Sequence, residues 1–247
     1  MQIGKAVEGA EAGSRQGESA GIRANESPAW RAAYDSLAQV ERRRSAMPVK
    51  LRKLGLDREK TDIRILDLCC GNGKTLDALY GMGFRDLRGA DIVISRDLGA
   101  DPRFNTCAAD ATALPLASGS FDWVLILHAL HHLGPEERIR TVLAECYRLL
   151  RPGGRLAVID FPNSPQIRFA FWCLRRNFWL FTPYLRYFGR LVQEEWRFLK
   201  GYLAEWPRVR SLLHGGPFEI ETYRQELFCY FLTLRKPVRG GGDGSSA

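Results

Sequence analysis

No two of the six cysteines form a C-x-x-C pair, and most of them fall inside apolar runs. That distribution excludes a disulfide framework and a zinc ribbon, and it predicts reduced core residues of a cytosolic protein. No run of about 18 apolar residues occurs, so the sequence offers no membrane-spanning helix. Met1 to Glu26 has no apolar h-region and does not read as a signal peptide. Histidine is scarce, with 4 in the chain, and three of them crowd into His128, His131 and His132. The balance of 36 Lys and Arg against 28 Asp and Glu leaves a net charge of +8. Such a balance suits nucleic acid, an acidic membrane surface or an anionic substrate, and does not choose among them.

Residues 1–26 are rich in Gly, Ala, Glu, Ser and Gln, with almost nothing to bury, and are expected to be a disordered leader. Residues 237–247 are Gly- and Ser-rich and are expected to be a disordered tail. Between them, residues 27–236 suffice for one large α/β domain. From Ala29 to Leu54, Trp30, Tyr34, Leu37 and Val40 fall at helical spacing.

The stretch from Ile63 to Thr75 organises the rest. An apolar strand ending in Asp67-Leu68 is followed by Cys69-Cys70-Gly71-Asn72-Gly73 and an amphipathic helix. Gly71 and Gly73 can take positive φ and let a ligand lie against the backbone. The helix behind them presents free N–H groups and its positive dipole end. Leu76 stands where a Rossmann G-x-G-x-x-G needs its third glycine, and Leu68 where a Walker A loop needs its first. Asp67, an acid inside the strand end, suits a cationic ligand better than a pyrophosphate.

Further strands are predicted at Leu87–Ile92, Asn105–Ala109, Phe121–Leu127 and Arg155–Phe161, with a helix from Pro135 to Leu150. Phe121–Leu127 is apolar on both faces, as a central parallel strand should be. Asp91 follows Asp67 at close to the roughly 20 positions at which a βαβ unit delivers a carboxylate to a ribose. Phe218–Arg224 and Phe228–Lys236 supply closing strands, the last antiparallel. Alternation of strands and helices predicts a doubly wound, mostly parallel α/β sheet of seven strands.

The acid and G-x-G after strand one resemble motif I of the class I S-adenosylmethionine (SAM) dependent methyltransferases. Asp110-Ala111, the S-F-D-W-V strand and the L-L-R-P-G-G-R-L lead-in resemble that family's later motifs in their usual order, so the resemblance covers about residues 60–162. It implies a Rossmann-like methyltransferase fold, SAM as cofactor, and a helical cap (162–210) inserted after strand five. It further implies that Asp67, Cys69 and Gly71 face the methionine end of SAM, with Gly73 also among the cofactor-binding residues. Asp91 would then hold the ribose hydroxyls, Asp110 and Ala111 would meet the adenine, and Leu127 and His128 would line the pocket floor. Many members have glycine where Cys69 stands.

Methyl transfer from a sulfonium is an in-line displacement in which positioning supplies most of the rate. Few protein groups need do acid–base work, so the acceptor side is less marked in sequence. Leu127-His128-Ala129-Leu130 is not the N/D-P-P-Y/F/W clamp typical of nucleobase amine methylation, which counts against nucleic acid as the target. His128, His131 and His132 share a helix face, but no carboxylate or cysteine nearby in sequence completes a metal set, and no metal is expected. His128 or His131 can serve as a base towards a phenol or an enolate.

Ile167 to Val192 packs aromatics among Arg168, Arg175, Arg176, Arg186 and Arg190. Ile167, Phe171, Leu174, Phe178 and Phe181 fall at helical spacing. The segment suits a core cap, a lid over a greasy substrate, a membrane-surface helix or a dimer surface, and its basic residues interleaved with aromatics also suit RNA. Trp196 to Pro207 is similar in register to the substrate-covering insertion of the ubiquinone/menaquinone biosynthesis C-methyltransferases, and it places Tyr202 as a third candidate catalytic residue. The expected activity is methyl transfer to a lipophilic small molecule, aromatic or quinone-like, by a cytoplasmic protein that meets the inner face of a membrane through 167–192. The alternatives are an RNA methyltransferase and a non-catalytic SAM-binding interaction protein.

Overall fold

The computed structural model describes residues 28–29, 32–33, 36–37, 46–176 and 182–238. The leader (1–26), the end of the tail (239–247), and Trp30, Tyr34, Val40, Phe178, Trp179 and Phe181 lie outside the described residues. The chain divides into two compact units, residues 1–43 with 173–195 and residues 44–172 with 196–247.

The larger unit holds a seven-stranded sheet in the order β3-β2-β1-β4-β5-β7-β6. Its strands are β1 (Arg64–Leu68), β2 (Asp86–Asp91), β3 (Asn105–Ala108), β4 (Phe121–Leu127), β5 (Leu150–Asp160), β6 (Glu219–Gln225) and β7 (Tyr230–Arg235). The first five pair in parallel, and β7 runs antiparallel between β5 and β6. The helices are α1 (Met47–Lys53), α2 (Lys74–Gly81), α3 (Arg96–Gly99), α4 (Glu136–Leu149), α5 (Pro165–Arg175) and α6 (Pro183–Gly215). The doubly wound sheet expected from the alternation of elements is therefore present.

Chain direction along the sheet reverses between β1 and β4. With right-handed crossovers, α2 and α4 fall on opposite faces. One face buries Ile65, Trp123, Leu125, Ala157, Ile159 and Phe231 in a cluster with Leu51 of α1, Leu54 just after it, and Leu76 and Leu79 of α2. The alternate residues Leu66, Val124, Ile126, Leu156 and Val158 are fully buried and point the other way. Leu125 has no exposure at all, and truncating it to alanine costs about 2–5 kcal/mol in such a core.

Strand five is longer than its sequence suggests, because Leu150-Arg151-Pro152-Gly153-Gly154 reads as a turn. Gly153 takes φ +79°, its N–H donates to the Lys236 carbonyl at 2.9 Å, and the Gly154 carbonyl accepts from Lys236 N–H at 2.8 Å. Partners from the end of β7 thus extend the strand through residues that locally favour a bend.

The smaller unit is helical where it is described. Ala33, Leu37, Leu191 and Val192 are buried in it, and the rings of Tyr184 and Phe188 stack at 5.9 Å. The helical spacing over 167–174 marks core residues, since Ile167, Phe171 and Leu174 are all buried.

Candidate active site

In open α/β sheets ligands bind beyond the C-terminal strand ends where the strand order reverses, here at β1 and β4. Beyond β1 the chain turns through three left-handed residues, Cys69 (φ +61°), Gly71 (φ +53°) and Gly73 (φ +78°). A left-handed cysteine costs about 1–2 kcal/mol relative to glycine. The turn is pinned by the Ala90 carbonyl at the end of β2, which accepts from Cys69 N–H at 2.7 Å and from Cys70 N–H at 3.2 Å. A Cβ at Gly73 would come within 2.7 Å of a Leu98 methyl. That glycine therefore also lets the start of α2 pack on α3.

Asp67 is buried, and its Oδ2 has no hydrogen-bond partner among the described residues. Burial pushes its carboxyl well above the usual carboxylate range, Asp91 adds to the rise, and a Thr75 hydrogen bond opposes it. A buried acid in this state is stabilised by an incoming cation. Asp91 ends β2 and ties the turn down: its Oδ2 accepts from Gly71 N–H at 2.8 Å and its Oδ1 from Val93 N–H at 3.3 Å. Burial pushes the Cys69 thiol up as well, with Asp91 contributing, which makes it a small neutral wall and no nucleophile.

Asp110 lies just past β3, in the loop with Ala111, and Ala111 is buried. The Asp110 carboxylate accepts from Thr112 N–H (2.9 Å), from the Thr112 hydroxyl (2.8 Å) and from Arg138 Nη2 (2.7 Å). Burial works to raise this carboxyl, but Arg138 and Thr112 together hold it below the ordinary range. Arg138 sits in the first turns of α4, and the sequence reading missed it. Charge at that point in a helix carries no distinguishing pattern.

Beyond β4 the groups change in kind. Leu127 ends the strand and His128 follows with φ +56°, its N–H donating to the Ile159 carbonyl at 2.6 Å. Its Nε2 lies 2.6 Å from Lys50 Nζ on α1. His131 lies in the 3-10 turn Leu130–His132 and is buried, with Nδ1 2.8 Å from Asp160 Oδ1 at the end of β5. Burial alone would raise the Asp160 carboxyl. His131, His128 and the Phe161 N–H bring it below the usual range. An ionised carboxylate only accepts, so Nδ1 of His131 carries a proton. The Phe161 ring stands 5.7 Å from the His128 ring and 5.5 Å from that of His131.

Tyr202 of α6 places its ring 6.1 Å from His131, edge-on. Its hydroxyl is 3.1 Å from that of Tyr230, whose ring lies 5.0 Å from Trp206. Burial pushes both phenols well above their ordinary range, so both stay protonated at neutral pH. The structure thus groups His131 and Tyr202 in one cluster, and sets His128 beside it with Lys50. Lys50, Asp160, Phe161 and Tyr230 were not singled out from the sequence. Only Asp160, an acid closing an apolar strand, left a usable signal.

Comparisons with known proteins bear on this arrangement. The family model described as "Methyltransferase domain" matches residues 66–158. A demethylmenaquinone methyltransferase of Beutenbergia cavernae is 32% identical over 170 residues, covering 65% of this chain and 68% of that protein. The chain belongs to the class I S-adenosylmethionine-dependent methyltransferases. A demethylmenaquinone methyltransferase of Thermus thermophilus is 34% identical over 147 residues, covering 56% of this methyltransferase and 64% of the relative. A 2-phytyl-1,4-naphtoquinone methyltransferase of Thermosynechococcus vestitus is 31% identical over 168 residues, covering 62% and 71%. This methyltransferase therefore spans about two thirds of the length of these relatives.

Among solved structures, the 1,6-didemethyltoxoflavin-N1-methyltransferase of Burkholderia thailandensis, with S-adenosylhomocysteine bound, superposes with a TM-score of 0.58 at 17% identity. It covers 94% of this chain and 93% of its own. A SAM-dependent methyltransferase from Methanosarcina mazei gives 0.52 at 16% identity, covering 75% and 98%. Both show the fold. The protein uses SAM, and the residues present fit it, because the buried unsatisfied Asp67 oxygen beside a left-handed turn suits a ligand carrying positive charge.

Proposed function

We propose that this enzyme methylates a lipophilic small molecule with an aromatic, quinone-like ring, and that it meets this acceptor at a membrane surface. The observation that carries the reading is the His131–Asp160 pair walled by Phe161 and Tyr202. A flat apolar ring packs against such walls, and a base with a fixed tautomer can take the proton that a carbon or oxygen acceptor must shed. The activities of the quinone-related relatives support the same acceptor class.

Bound SAM supplies a methyl electrophile that leaves behind a neutral thioether. The chain's own residues do the rest. Asp67, Cys69 and Gly71 hold the methionine end, Asp91 the ribose hydroxyls, Asp110 and Ala111 the adenine, and Leu127 and His128 the floor. Asp160 keeps His131 Nδ1 protonated and stabilises the imidazolium formed when Nε2 accepts the proton. Tyr202 and Tyr230 hold each other as neutral phenols and keep the wall dry.

No helix among the described residues is long and apolar enough to cross a membrane. Phe169 and Trp172 stack at 6.0 Å on α5 and are 63% and 46% exposed. Leu227 and Phe228, 57% and 54% exposed, form the β6–β7 turn at the edge where β5 ends. Exposed aromatic and aliphatic side chains beside an acceptor site support approach from a lipid surface.

The test is transfer of labelled methyl from SAM to a prenylated 1,4-naphthohydroquinone under anaerobic conditions, with liposome flotation alongside. Labelled product in the organic phase, and flotation reduced by Phe228→Ser, are expected; no organic-phase label contradicts the acceptor class.

A second reading has one specific support. A tRNA (carboxymethyluridine(34)-5-O)-methyltransferase of Macaca fascicularis is 36% identical over 97 residues, although these are only 14% of that protein. An RNA acceptor would instead give label in the aqueous phase and a mobility shift of bulk RNA.

A further inference from the structure

The hairpin that carries β6 into β7 turns at Leu227 and Phe228. Gln225 and Tyr230 form the last rung of the ladder, and the Glu226 N–H donates to the Cys229 carbonyl at 2.8 Å. Two residues are left to cross the tip, and both are apolar and exposed. A tight hairpin asks for glycine, asparagine or aspartate there, because those residues meet the turn's φ and hydrogen-bonding demands. Nothing in the geometry of the turn calls for a leucine and a phenylalanine side by side, so the pair argues for a surface outside the chain.

The base of the tip is cationic. Lys53 Nζ of α1 donates to both carboxylate oxygens of Glu226 at 2.7 Å, and Arg224 Nη2 lies 3.1 Å from the same carboxylate. Arg52 stands exposed beside Lys53, and α1 contains no acidic residue. Three cations therefore meet one carboxylate, a surplus of positive charge that the two ion pairs leave in place. Basic residues in the last turn of α1 also complement the helix dipole, but Arg224 on β6 has no such duty.

We infer that this tip and its cationic base form the contact with a bilayer of anionic headgroups. Leu227 and Phe228 enter the acyl boundary, and Arg52, Lys53 and Arg224 meet the phosphates. This contact rests on the membrane approach proposed above and names the lipid charge that directs it. Apolar tips and a basic surplus act on different parts of a lipid, the first on its chains and the second on its headgroup. The place also suits the acceptor site. Tyr230, two residues past Phe228, pairs in register with Asp160 at the end of β5, and its hydroxyl is 3.1 Å from that of Tyr202. A tip seated in the bilayer thus brings lipid to the edge of the sheet that holds Asp160.

A nucleic acid fits this surface less well. Binding of unpaired bases relies on ring faces among the cations, and Leu227 offers none.

The probe is a pair of vesicle preparations, phosphatidylcholine alone and phosphatidylcholine with phosphatidylglycerol, floated with the full-length protein. Each basic residue near an anionic surface contributes about five-fold in partitioning, so the anionic vesicles should be preferred roughly twenty-fold, and less so at high salt. Arg52→Gln combined with Arg224→Gln should remove most of that preference, and Phe228→Ser should lower partitioning to both preparations. Thermal midpoints of the variants report folding. Equal partitioning to the two preparations, or a preference that survives in the folded double variant, overturns the inference and leaves the membrane approach standing. No flotation with either preparation strikes the membrane approach itself. Two other occupants have their own signatures. Bulk RNA that binds more tightly than the vesicles, and through Arg52 and Arg224, would overturn the lipid assignment, as would a dimer in solution that Phe228→Ser dissolves.

Discussion

The half of the sheet formed by β1, β2 and β3 ends in carboxylates and left-handed turns. The half formed by β4, β5 and β7 ends in imidazoles and phenols set around the Asp160 carboxylate, with His128 left-handed past β4. Asp67, Asp91 and Asp110 lie at or just past the ends of β1, β2 and β3, and backbone N–H groups do much of the holding, Gly71 and Val93 on Asp91 and Thr112 on Asp110, with the Arg138 side chain added at Asp110. On the other side each working group is completed by a partner distant in the chain: His128 by Lys50, His131 by Asp160, and Tyr202 by Tyr230. The first design suits a cofactor that never changes. The second can be re-equipped one side chain at a time for a new acceptor.

That contrast can be broken most sharply at the proposed proton acceptor. His131→Asn should lower kcat about 10²–10⁴-fold, the usual value of a positioned base, while SAM affinity stays within about two-fold. Single-turnover methyl transfer checks the first number and calorimetry the second; comparable losses in both would erase the separation between the halves. Asp91→Ala should do the reverse. It should weaken SAM by at least about ten-fold, since a charge-assisted hydrogen bond contributes roughly 1.5–3 kcal/mol. Arg138→Ala, which releases Asp110, should weaken SAM only about two- to five-fold, because both partners are about one third exposed and screened.

A smaller effect tests whether the cofactor corner stores strain. Asp67 has its carboxyl raised by burial, so charging it opposes folding once pH exceeds the ordinary carboxylate range. Asp67→Asn should therefore raise the thermal midpoint of the ligand-free enzyme by about 2–4 °C per kcal/mol relieved, while SAM binds more weakly. Asp160 has the opposite sign. Its carboxyl is held low, so its contribution is present above the unfolded value near 3.9 and is lost as pH falls through the folded one. Urea unfolding at pH 6 and pH 3.5 should show a loss of stability in acid that Asp160→Asn reduces.

The groups proposed to hold the cofactor were legible in the sequence because their signals are local. An acid, two glycines and a second acid a βαβ unit later can be read without knowing the fold. Phe121–Leu127 was legible to the residue because a strand buried on both faces leaves an unbroken apolar run. The extension of β5 through Pro152-Gly153-Gly154 was hidden because hydrogen bonds from Lys236 override the local preference. Lys50 was hidden for another reason: one lysine on a helix with Arg52 and Lys53 has no local mark of its contact with His128. Cys69 lies between these cases. The resemblance places glycine there, and the left-handed φ of +61° gives the physical reason.

Titration of SAM into the enzyme and into Asp67→Asn at pH 6.5 tests the central claim most directly. At that pH the α-amino group of the ligand is protonated, so SAM arrives as a cation able to meet the buried Asp67 carboxyl. Saturable binding is predicted, weakened at least about ten-fold in Asp67→Asn. Absence of binding, or an affinity unchanged in Asp67→Asn, would contradict the account.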